Sequence, residues 1–367
     1  MRENIQRKPD YSLLATVFAL VIFGLVVLAS ASVVVSRNKF DQNYYYFFHQ
    51  LIYGALVGFI FLAVAQKINY RFWKKYALLL FIAGLGLLFL TLASNFGEAY
   101  NKASRWITIG GFSFQPAEIF KLVFILYLAA WLEKREKEIN NFSTGLVPFL
   151  AILALVGILL IKQPDIGTLG AIIAIAMAIY FAAGVKISYL LIIISGGIAV
   201  FWGLIKMAPY RINRLTVFLH PEVDPHGIGY QINQALLALG SGGILGLGLG
   251  HSRQKYNYLP EPIGDSIFAI IGEEVGFVGL LILLALFIIF AWRGFKIAQE
   301  APDSFGKLTA VGITSWITFQ ALMNIMAITS LIPLTGIPLP FISYGGTALA
   351  TSLLGVGILL NISKYRK

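Results

Sequence analysis

The 367-residue sequence contains no cysteine, and only 12% of its residues are charged. The absence of cysteine excludes disulfide bonds and thiolate metal sites, but it leaves the cellular compartment undecided. The scarcity of charge excludes an ordinary soluble domain, in which about 25% of residues are charged. Acidic residues are scarcer than basic ones, with 17 Asp and Glu against 28 Lys and Arg. We attribute the net charge of +11 to membrane topology and lipid attraction, not to a nucleic-acid partner.

Hydrophobic side chains, by contrast, make up 58% of the sequence. They form runs long enough to cross about 30 Å of hydrocarbon at about 1.5 Å per residue. The sequence therefore predicts an all-α polytopic membrane protein, with residues 1–367 as a single domain. We expect ten spans and a large extracytoplasmic loop, about residues 207–264, between the seventh and the eighth. The approximate spans are 12–35, 46–66, 76–93, 115–132, 145–162, 165–183, 187–206, 266–292, 307–332 and 342–362.

The basic residues are unevenly distributed among the predicted loops. With the N-terminus inside, the cytoplasmic segments hold 17 of the 28 Lys and Arg residues. The positive-inside rule therefore favours cytoplasmic N- and C-termini. The first apolar run resembles a secretory signal ending at Ala29-Ser30-Ala31. It is longer than the roughly 7–15 residues of a signal h-region, so we expect an uncleaved first span.

Two other patterns suggest sites but match no motif. The stretch GSGGILGLGLG lacks both G-x-G-x-x-G and G-x-x-x-x-G-K-[ST], so we expect a flexible or re-entrant turn with close backbone packing instead of a nucleotide site. Three of the four histidines, His220, His226 and His251, lie in the long loop near Glu222 and Asp224. Their spacing matches no ligand motif, so no dedicated metal site is predicted.

Ionisable residues at the start of the fourth span indicate a polar site. Pro116 fits the first turn of a helix, which places Glu118 in that turn and Lys121 on the same face. A buried ion pair with no further task would explain both residues. Charged groups inside spans, however, usually face a cavity or a pathway, so we favour an outward-facing polar cavity.

Four further polar residues have two explanations each. Asp165 could cap the sixth span or take part in a binding site. Arg105 could anchor the chain at the membrane interface or bind a pyrophosphate through paired N–H donors. Gln231 and Gln234 lie three residues apart on a predicted short helix, where they could bind sugar hydroxyls or face water.

The eighth span contains carboxylates at two depths. Asp265 stands at its entrance, where it could cap the helix or act as a general base. Glu273 and Glu274 lie roughly 12–14 Å deeper at 1.5 Å per residue, and we expect them to shape helix packing or a cavity floor. The small residues of this span, Gly272, Gly276 and Gly279, could serve internal packing or a partner helix.

Several long motifs, in order, resemble the SEDS family (shape, elongation, division and sporulation), which includes the bacterial cell-wall polymerases FtsW and RodA. The motifs are NKASRWITIGGFSFQPAEIFKL, QPD, YRINRLTVFL, DPHGIGYQINQALLALGSGGILGLGLGHSRQKYNYLPE and GIPLPFISYGG. The forms YQINQ, GLGHSRQK and PLPFISYGG are more similar to FtsW than to RodA. One departure lies next to Asp265, which follows Ile263 and Gly264 where relatives carry His-Thr.

The resemblance implies a peptidoglycan glycosyltransferase that polymerises lipid II into glycan strands outside the bacterial cytoplasmic membrane, in cell division or elongation. It implies Asp265 as the catalytic base, with no certain cofactor; a divalent cation could assist. The departing pyrophosphate would need cationic neighbours. The residues implied to bind substrate are Arg105, Glu118, Lys121, Asp165, Arg211, Gln231, Gln234 and Ser343.

The resemblance also implies partners: the lipid II substrate and growing glycan strand, membrane lipids, and a class B penicillin-binding transpeptidase with a single span. Two other functions stay open. A lipid II flippase would also need a polar cavity, and Glu273 and Glu274 are the residues that favour it. A non-catalytic scaffold of a cell-wall complex would tolerate the loss of Asp265.

Overall fold

The computed structural model describes residues 8–93, 105–109, 112–206, 209–220, 223 and 227–366. Helices dominate this part of the chain. In order they are α1 (Tyr11–Ala31), α2 (Val33–Phe40), α3 (Tyr45–His49), a π-helical turn (Gln50–Leu56), α4 (Val57–Lys67), α5 (Tyr70–Ala93), α6 (Pro116–Lys134), a second π-helical turn (Phe142–Leu146), α7 (Val147–Lys162), α8 (Ile166–Ala182), α9 (Ile187–Lys206), α10 (Pro209–Leu219), α11 (Ile228–Ser241), α12 (Ile267–Gln299), α13 (Ser304–Ile328) and α14 (Gly346–Ser363).

Seven of these helical stretches are long and apolar enough to cross a membrane. They are Tyr11–Ala31, Tyr45–Lys67, Tyr70–Leu92, Phe142–Lys162, Ile267–Gln299, Ser304–Ile328 and Gly346–Ser363. The other three predicted spans coincide with α6, α8 and α9. Charged residues near both ends of α6 lower its apolar character, whereas α8 and the apolar part of α9 are short. The helices show a multi-pass architecture, and the count of ten stays a prediction.

The two termini meet at one end of the bundle. Asp10 caps α1 by accepting a hydrogen bond from the Leu13 N–H at 3.0 Å. Its carboxylate also pairs with Arg293 of α12 at 2.5 Å and with Arg366 at 3.0 Å. Burial alone would raise the pKa of Asp10. The hydrogen bond from Arg293 and the two guanidinium charges outweigh burial, so the pKa of Asp10 lies below its usual range. The N- and C-terminal ends of the described chain therefore lie on one side.

Helices α13 and α14 form the centre of the bundle. In the most apolar part of each helix, 67% of the residues of α13 and 78% of those of α14 are buried, against 22% in α12 and 28% in α5. The peripheral helices expose large apolar side chains, as expected for surfaces that face lipid. Because α13 is surrounded by protein, its Gln320 and Asn324 side chains find polar partners inside the bundle.

Helix α12 is broken at Gly276, where φ is 67° and ψ is −171°. The glycine-rich stretch after α11 fills the break: Leu247 N–H donates to the Glu273 carbonyl at 2.9 Å, and Phe277 N–H donates to the Gly243 carbonyl at 2.9 Å. A Cβ at Gly276 would lie 2.2 Å from the Gly246 nitrogen. The predicted close backbone packing of the glycine-rich stretch is confirmed, whereas the break in α12 was not predicted.

The small residues of α12 are used inside this chain. A Cβ at Gly272 would lie 2.4 Å from the side chain of Leu239 in α11, and Gly276 is covered by the glycine-rich stretch. At Gly279 an added Cβ would meet Val275 of the same helix. Of the two explanations offered by the sequence, internal packing therefore accounts for Gly272 and Gly276.

Two of the predicted spans extend into the same irregular segment, which is not helical. Helix α13 ends at Ile328 instead of residue 332, and α14 begins at Gly346 instead of residue 342. The intervening stretch contains three prolines, which restrict helix formation, yet its Phe341 and Ile342 are buried. A short antiparallel hairpin, Ile107–Ile109 with Phe112–Phe114, was also missed. The irregular segment places Ser343 in a packed loop instead of a helix.

Candidate functional site

Four segments meet at the end of the bundle where α12 begins. They are the approach to Asp265, the first turns of α6, the last turns of α13, and the irregular segment that follows α13. Lys121 of α6 contacts α13, and α13 in turn contacts both the approach and the irregular segment. Helix α13 therefore connects Asp265 with the Glu118–Lys121 pair, which is far from it in sequence.

Asp265 lies just before α12 and is half-buried. The helix cap position belongs to the buried Ser266, not to Asp265. The carbonyl of Asp265 accepts a hydrogen bond from Asn324 Nδ2 at 2.8 Å, while the neighbouring Gly264 N–H donates to the Glu261 carbonyl at 3.1 Å. The simple capping explanation for Asp265 thus loses its support, because another residue occupies that position.

The Glu118–Lys121 pair predicted on one face of a helix is confirmed. Lys121 Nζ donates to Glu118 Oε1 at 2.8 Å, and the two side chains are only 1% and 3% exposed. The same ammonium donates to Gln320 Oε1 at 2.6 Å and lies 5.2 Å from the ring centroid of Trp316. The pair is enclosed by the described part of the chain. The outward-facing polar cavity stays a prediction.

Gln320 and Asn324 were missed by the sequence analysis. Gln320 Nε2 donates to the Pro338 carbonyl at 3.1 Å, and Asn324 Nδ2 donates to the Ile337 carbonyl at 2.8 Å. Both side chains are nearly fully buried. The signal that could have found them is two carboxamides one helical turn apart in an apolar span, since such groups need internal partners.

Asp165 caps α8, as one of its two explanations predicted. Its carboxylate accepts hydrogen bonds from Thr168 N–H at 3.2 Å and from Thr168 Oγ1 at 2.8 Å. Arg105 Nη1 lies 4.0 Å from Asp165 Oδ1, and the guanidinium donates to the carbonyls of Gln163 and Pro164. Arg105 is 31% exposed, so part of its charge is accessible beside the turn that it holds.

Two other predicted site residues hold the approach to Asp265. Gln231 Nε2 of α11 donates to Ser266 Oγ at 3.0 Å. Ser343 Oγ donates to the Gly264 carbonyl at 2.7 Å and accepts from Leu339 N–H at 2.8 Å. Gln234 is half-buried one turn further along α11. A contact between any of these side chains and a substrate stays a prediction.

Some predictions lie outside the described residues. Arg211 belongs to α10, but its side chain is not described, and Glu222, Asp224 and His226 are not described at all. Among the described residues no group of three His, Cys, Asp or Glu side chains could hold a metal ion.

The two glutamates deep in α12 bind a neighbouring segment of the chain, residues 251–258. Glu273 Oε2 accepts a hydrogen bond from Ser252 Oγ at 2.5 Å. Glu274 Oε1 pairs with Lys255 Nζ at 3.0 Å and accepts from Ser30 Oγ of α1 at 2.6 Å. Both carboxylates are 1% exposed. The expectation that they shape packing is confirmed, since together they hold this segment beside the break in α12.

Comparisons with known proteins agree over almost the whole chain. The sequence model of the FtsW/RodA/SpoVE family of cell cycle proteins matches residues 11–367. Stage V sporulation protein E of Bacillus subtilis is 42% identical over 359 residues, covering 98% of both chains. The probable peptidoglycan glycosyltransferase FtsW of Geobacter sulfurreducens is 40% identical over 358 residues, covering 98% of this chain and 96% of the relative.

Solved structures show the same similarity. A chain from a study of the coordination of polymerization and crosslinking by a peptidoglycan synthase complex has a TM-score of 0.79 and 27% identity, covering 98% of both chains. The rod shape determining protein RodA of Thermus thermophilus has a TM-score of 0.70 and 27% identity, covering 98% of this chain and 97% of RodA. The family model and full-length relatives together establish that this chain belongs to the FtsW/RodA/SpoVE family, which is the SEDS family that its motifs resemble.

Proposed function

We propose that this protein is a peptidoglycan glycosyltransferase that polymerises lipid II on the outer face of the bacterial cytoplasmic membrane, in division or elongation. The observation that supports it best is the link between Asp265 and the buried cation of Lys121 through α13. A carboxylate at the bundle end and a cation behind it suit the two needs of the reaction. These needs are a base for a hydroxyl nucleophile and positive charge for a departing pyrophosphate.

The proposed reaction uses the growing glycan on undecaprenyl pyrophosphate as donor and the 4-hydroxyl of the lipid II GlcNAc as acceptor. Asp265 takes the proton of that hydroxyl as its oxygen bonds to the anomeric carbon of the donor. The bond from that carbon to the pyrophosphate oxygen breaks, and the pyrophosphate leaves with the electron pair. A single displacement inverts the anomeric centre and needs one base, without a second carboxylate as nucleophile.

Cationic side chains would stabilise the departing pyrophosphate. Arg105 is the accessible cation among the described candidates, and Arg211 is the other candidate. The ammonium of Lys121 is buried, so it would not contact the pyrophosphate directly. It would act through its electrostatic potential and through its hydrogen bond to Gln320. Charges in such a low-dielectric interior act more strongly than exposed ones. Glu118 and Asp165 would orient Lys121 and Arg105.

The remaining predicted residues would form the acceptor side of the site. Gln231 and Ser343 already bind the backbone and side chains on either side of Asp265, so they would fix its approach while Gln234 contacts sugar. In this proposal both termini lie in the cytoplasm, which agrees with their meeting at the end of the bundle opposite to Asp265.

A lipid II flippase is the weaker candidate. The broken α12 and the adjacent carboxylates resemble the unwound helices and midplane charges of transporters. Here, however, Glu273 and Glu274 are engaged by Ser252, Lys255 and Ser30. Because the chain itself occupies these groups, they offer less support for a transport pathway than Asp265 offers for catalysis.

A class B penicillin-binding transpeptidase is the proposed partner, since newly made strands need crosslinking. The support is the similarity to a chain of a peptidoglycan synthase complex that joins polymerization and crosslinking. Gly272 and Gly276 are buried against this chain's own backbone and side chains, so a partner helix would bind elsewhere.

The experiment that tests the proposal compares wild-type protein with Asp265→Asn. Asn retains the size and the main-chain contacts of Asp265 but cannot accept the proton. Fluorescent lipid II would be incubated with purified protein, with and without a transpeptidase, and glycan strands resolved on a gel. We expect Asp265→Asn to fold normally and to lose roughly 100-fold or more of the polymerisation rate. Strands made at the wild-type rate would overturn the catalytic assignment and leave the scaffold function.

A further inference from the structure

The side chains of Asn324 and Gln320 connect the two parts of the proposed active site. We propose that these two residues of α13 are positioning residues that fix Asp265 relative to Lys121. This inference rests on the proposed function, because it assigns a task to residues that touch the proposed base and cation. Neither residue was singled out by the sequence, and both act within the protein instead of on the substrate.

Asn324 clamps two separate backbone segments with one amide group. Its Nδ2 donates to the carbonyl of Asp265 at 2.8 Å and to the carbonyl of Ile337 at 2.8 Å. The side chain is 1% exposed, and its Oδ1 has no hydrogen-bond partner within the described part of the chain. Asn324 therefore serves as a donor to both segments, which fixes the base against the irregular segment after α13.

Gln320 makes the matching connection to the cation. Its Oε1 accepts from Lys121 Nζ at 2.6 Å and from Trp316 Nε1 at 2.9 Å, which leaves Nε2 to donate to the Pro338 carbonyl at 3.1 Å. Gln320 and Asn324 lie about 6 Å apart along α13, at 1.5 Å per residue. Their carbonyl partners in the irregular segment are consecutive residues, Ile337 and Pro338, so one stretch of backbone is held at both points.

The arrangement makes α13 a spacer between base and cation. The helix is central and packed on several sides, so it has little freedom to shift. In a displacement reaction the base and the leaving-group cation must act on opposite sides of one carbon atom. A misplacement of about 1 Å in such a site can cost roughly 100-fold in rate, although every reacting group is still present.

The test replaces Asn324 with leucine, which has the same branched shape but no hydrogen-bond donor. The matched control is Asn361→Leu at the other end of the bundle. Asn361 is also buried, accepts from Tyr70 N–H at 2.8 Å and donates to the Gln66 carbonyl at 2.8 Å. Both variants should show a similar loss of thermal stability in detergent. We expect only Asn324→Leu to lower kcat, by roughly 10- to 100-fold, with KM for lipid II within about threefold of wild type.

Asp265→Asn, measured alongside, separates two kinds of failure. If Asp265→Asn polymerises normally, the proposed function itself is wrong. If Asp265→Asn is inactive while Asn324→Leu turns over like Asn361→Leu, only the positioning role is overturned. Should Asn324→Leu fail to fold, Asn324→Ser keeps one hydroxyl donor and is compared with Asn361→Ser. A kcat below that of Asn361→Ser supports positioning, and a kcat equal to that of Asn361→Ser overturns it.

Discussion

Lys121 offers the sharpest separation between a structural and a catalytic charge. Replacing it with Met keeps a similar stem but removes the ammonium that binds Glu118 and Gln320. Breaking a buried pair by removing one partner typically costs about 3–5 kcal/mol, because the other charge is left buried and unpaired. The pair is almost wholly inaccessible to solvent, so water offers little screening of that loss. We therefore expect Lys121→Met alone to be both unstable and inactive, which leaves the two roles unseparated.

The double variant Glu118→Gln/Lys121→Met removes both charges together. Replacing a buried ion pair by neutral groups is often close to neutral in stability, so we expect recovery to within about 1 kcal/mol of wild type. Polymerisation should nevertheless stay reduced by roughly 100-fold or more, the usual effect of losing a group that stabilises developing negative charge. Thermal unfolding in detergent and strand synthesis from fluorescent lipid II measure the two quantities on one preparation.

A second buried Lys–Glu pair in the same protein provides the control. Lys255 and Glu274 are 3.0 Å apart and only 3% and 1% exposed, which closely matches the Glu118–Lys121 pair. Lys255→Met should destabilise the protein, and Lys255→Met/Glu274→Gln should regain both stability and most of the turnover. The reasoning about Lys121 is refuted if Glu118→Gln/Lys121→Met polymerises lipid II as fast as this control.

Three further outcomes are expected. Gly276→Ala should unfold at a lower temperature than the control Gly197→Ala, because Gly276 has a φ of 67° and no room for a Cβ, whereas Gly197 faces open space. Asp10→Asn keeps a helix cap but loses the pairs with two arginines; the stability deficit should be full at neutral pH and shrink as the pH falls through the lowered pKa of Asp10. A reporter after residue 367 and a cysteine label near residue 222 should report opposite sides of the membrane; labelling from one side would contradict the ten-span prediction.

The positions of the helices could largely be predicted from the sequence, because lipid requires long apolar runs with internally satisfied backbones. The same local logic found the Glu118–Lys121 pair, since residues three apart share a helix face. The break at Gly276 could not be found in this way. The break is stabilised by hydrogen bonds with a stretch of chain roughly thirty residues earlier; for example, Phe277 N–H donates to the Gly243 carbonyl. The hydrophobic pattern of α12 contains no signal of that contact.

The candidate site was only partly predictable for a related reason. Asp265 stands out because a carboxylate at the start of a span is conspicuous, but its partner Asn324 is 59 residues away. Gln320 and Lys121 are 199 residues apart. The pairing of such groups depends on which helices are neighbours, and a single sequence does not contain that information. The family motifs in the sequence identified the segments that form the candidate site. The contacts between those segments became visible only in the folded structure.

Helices α6 and α12 show that a buried glutamate inside a span can have different hydrogen-bond partners, and hence a different role, in each case. Both helices contain a buried glutamate paired with a lysine at similar distance. The lysine paired with Glu274 comes from the adjacent 251–258 segment, and Ser30 completes the cluster, so these charges hold the chain beside a break in its own helix. The lysine paired with Glu118 also binds Gln320, which shares α13 and the irregular segment with Asn324 and hence with Asp265. Under the proposed function, a functional charge would differ from a structural one in the group at the far end of its hydrogen-bond network, more than in its depth in the membrane.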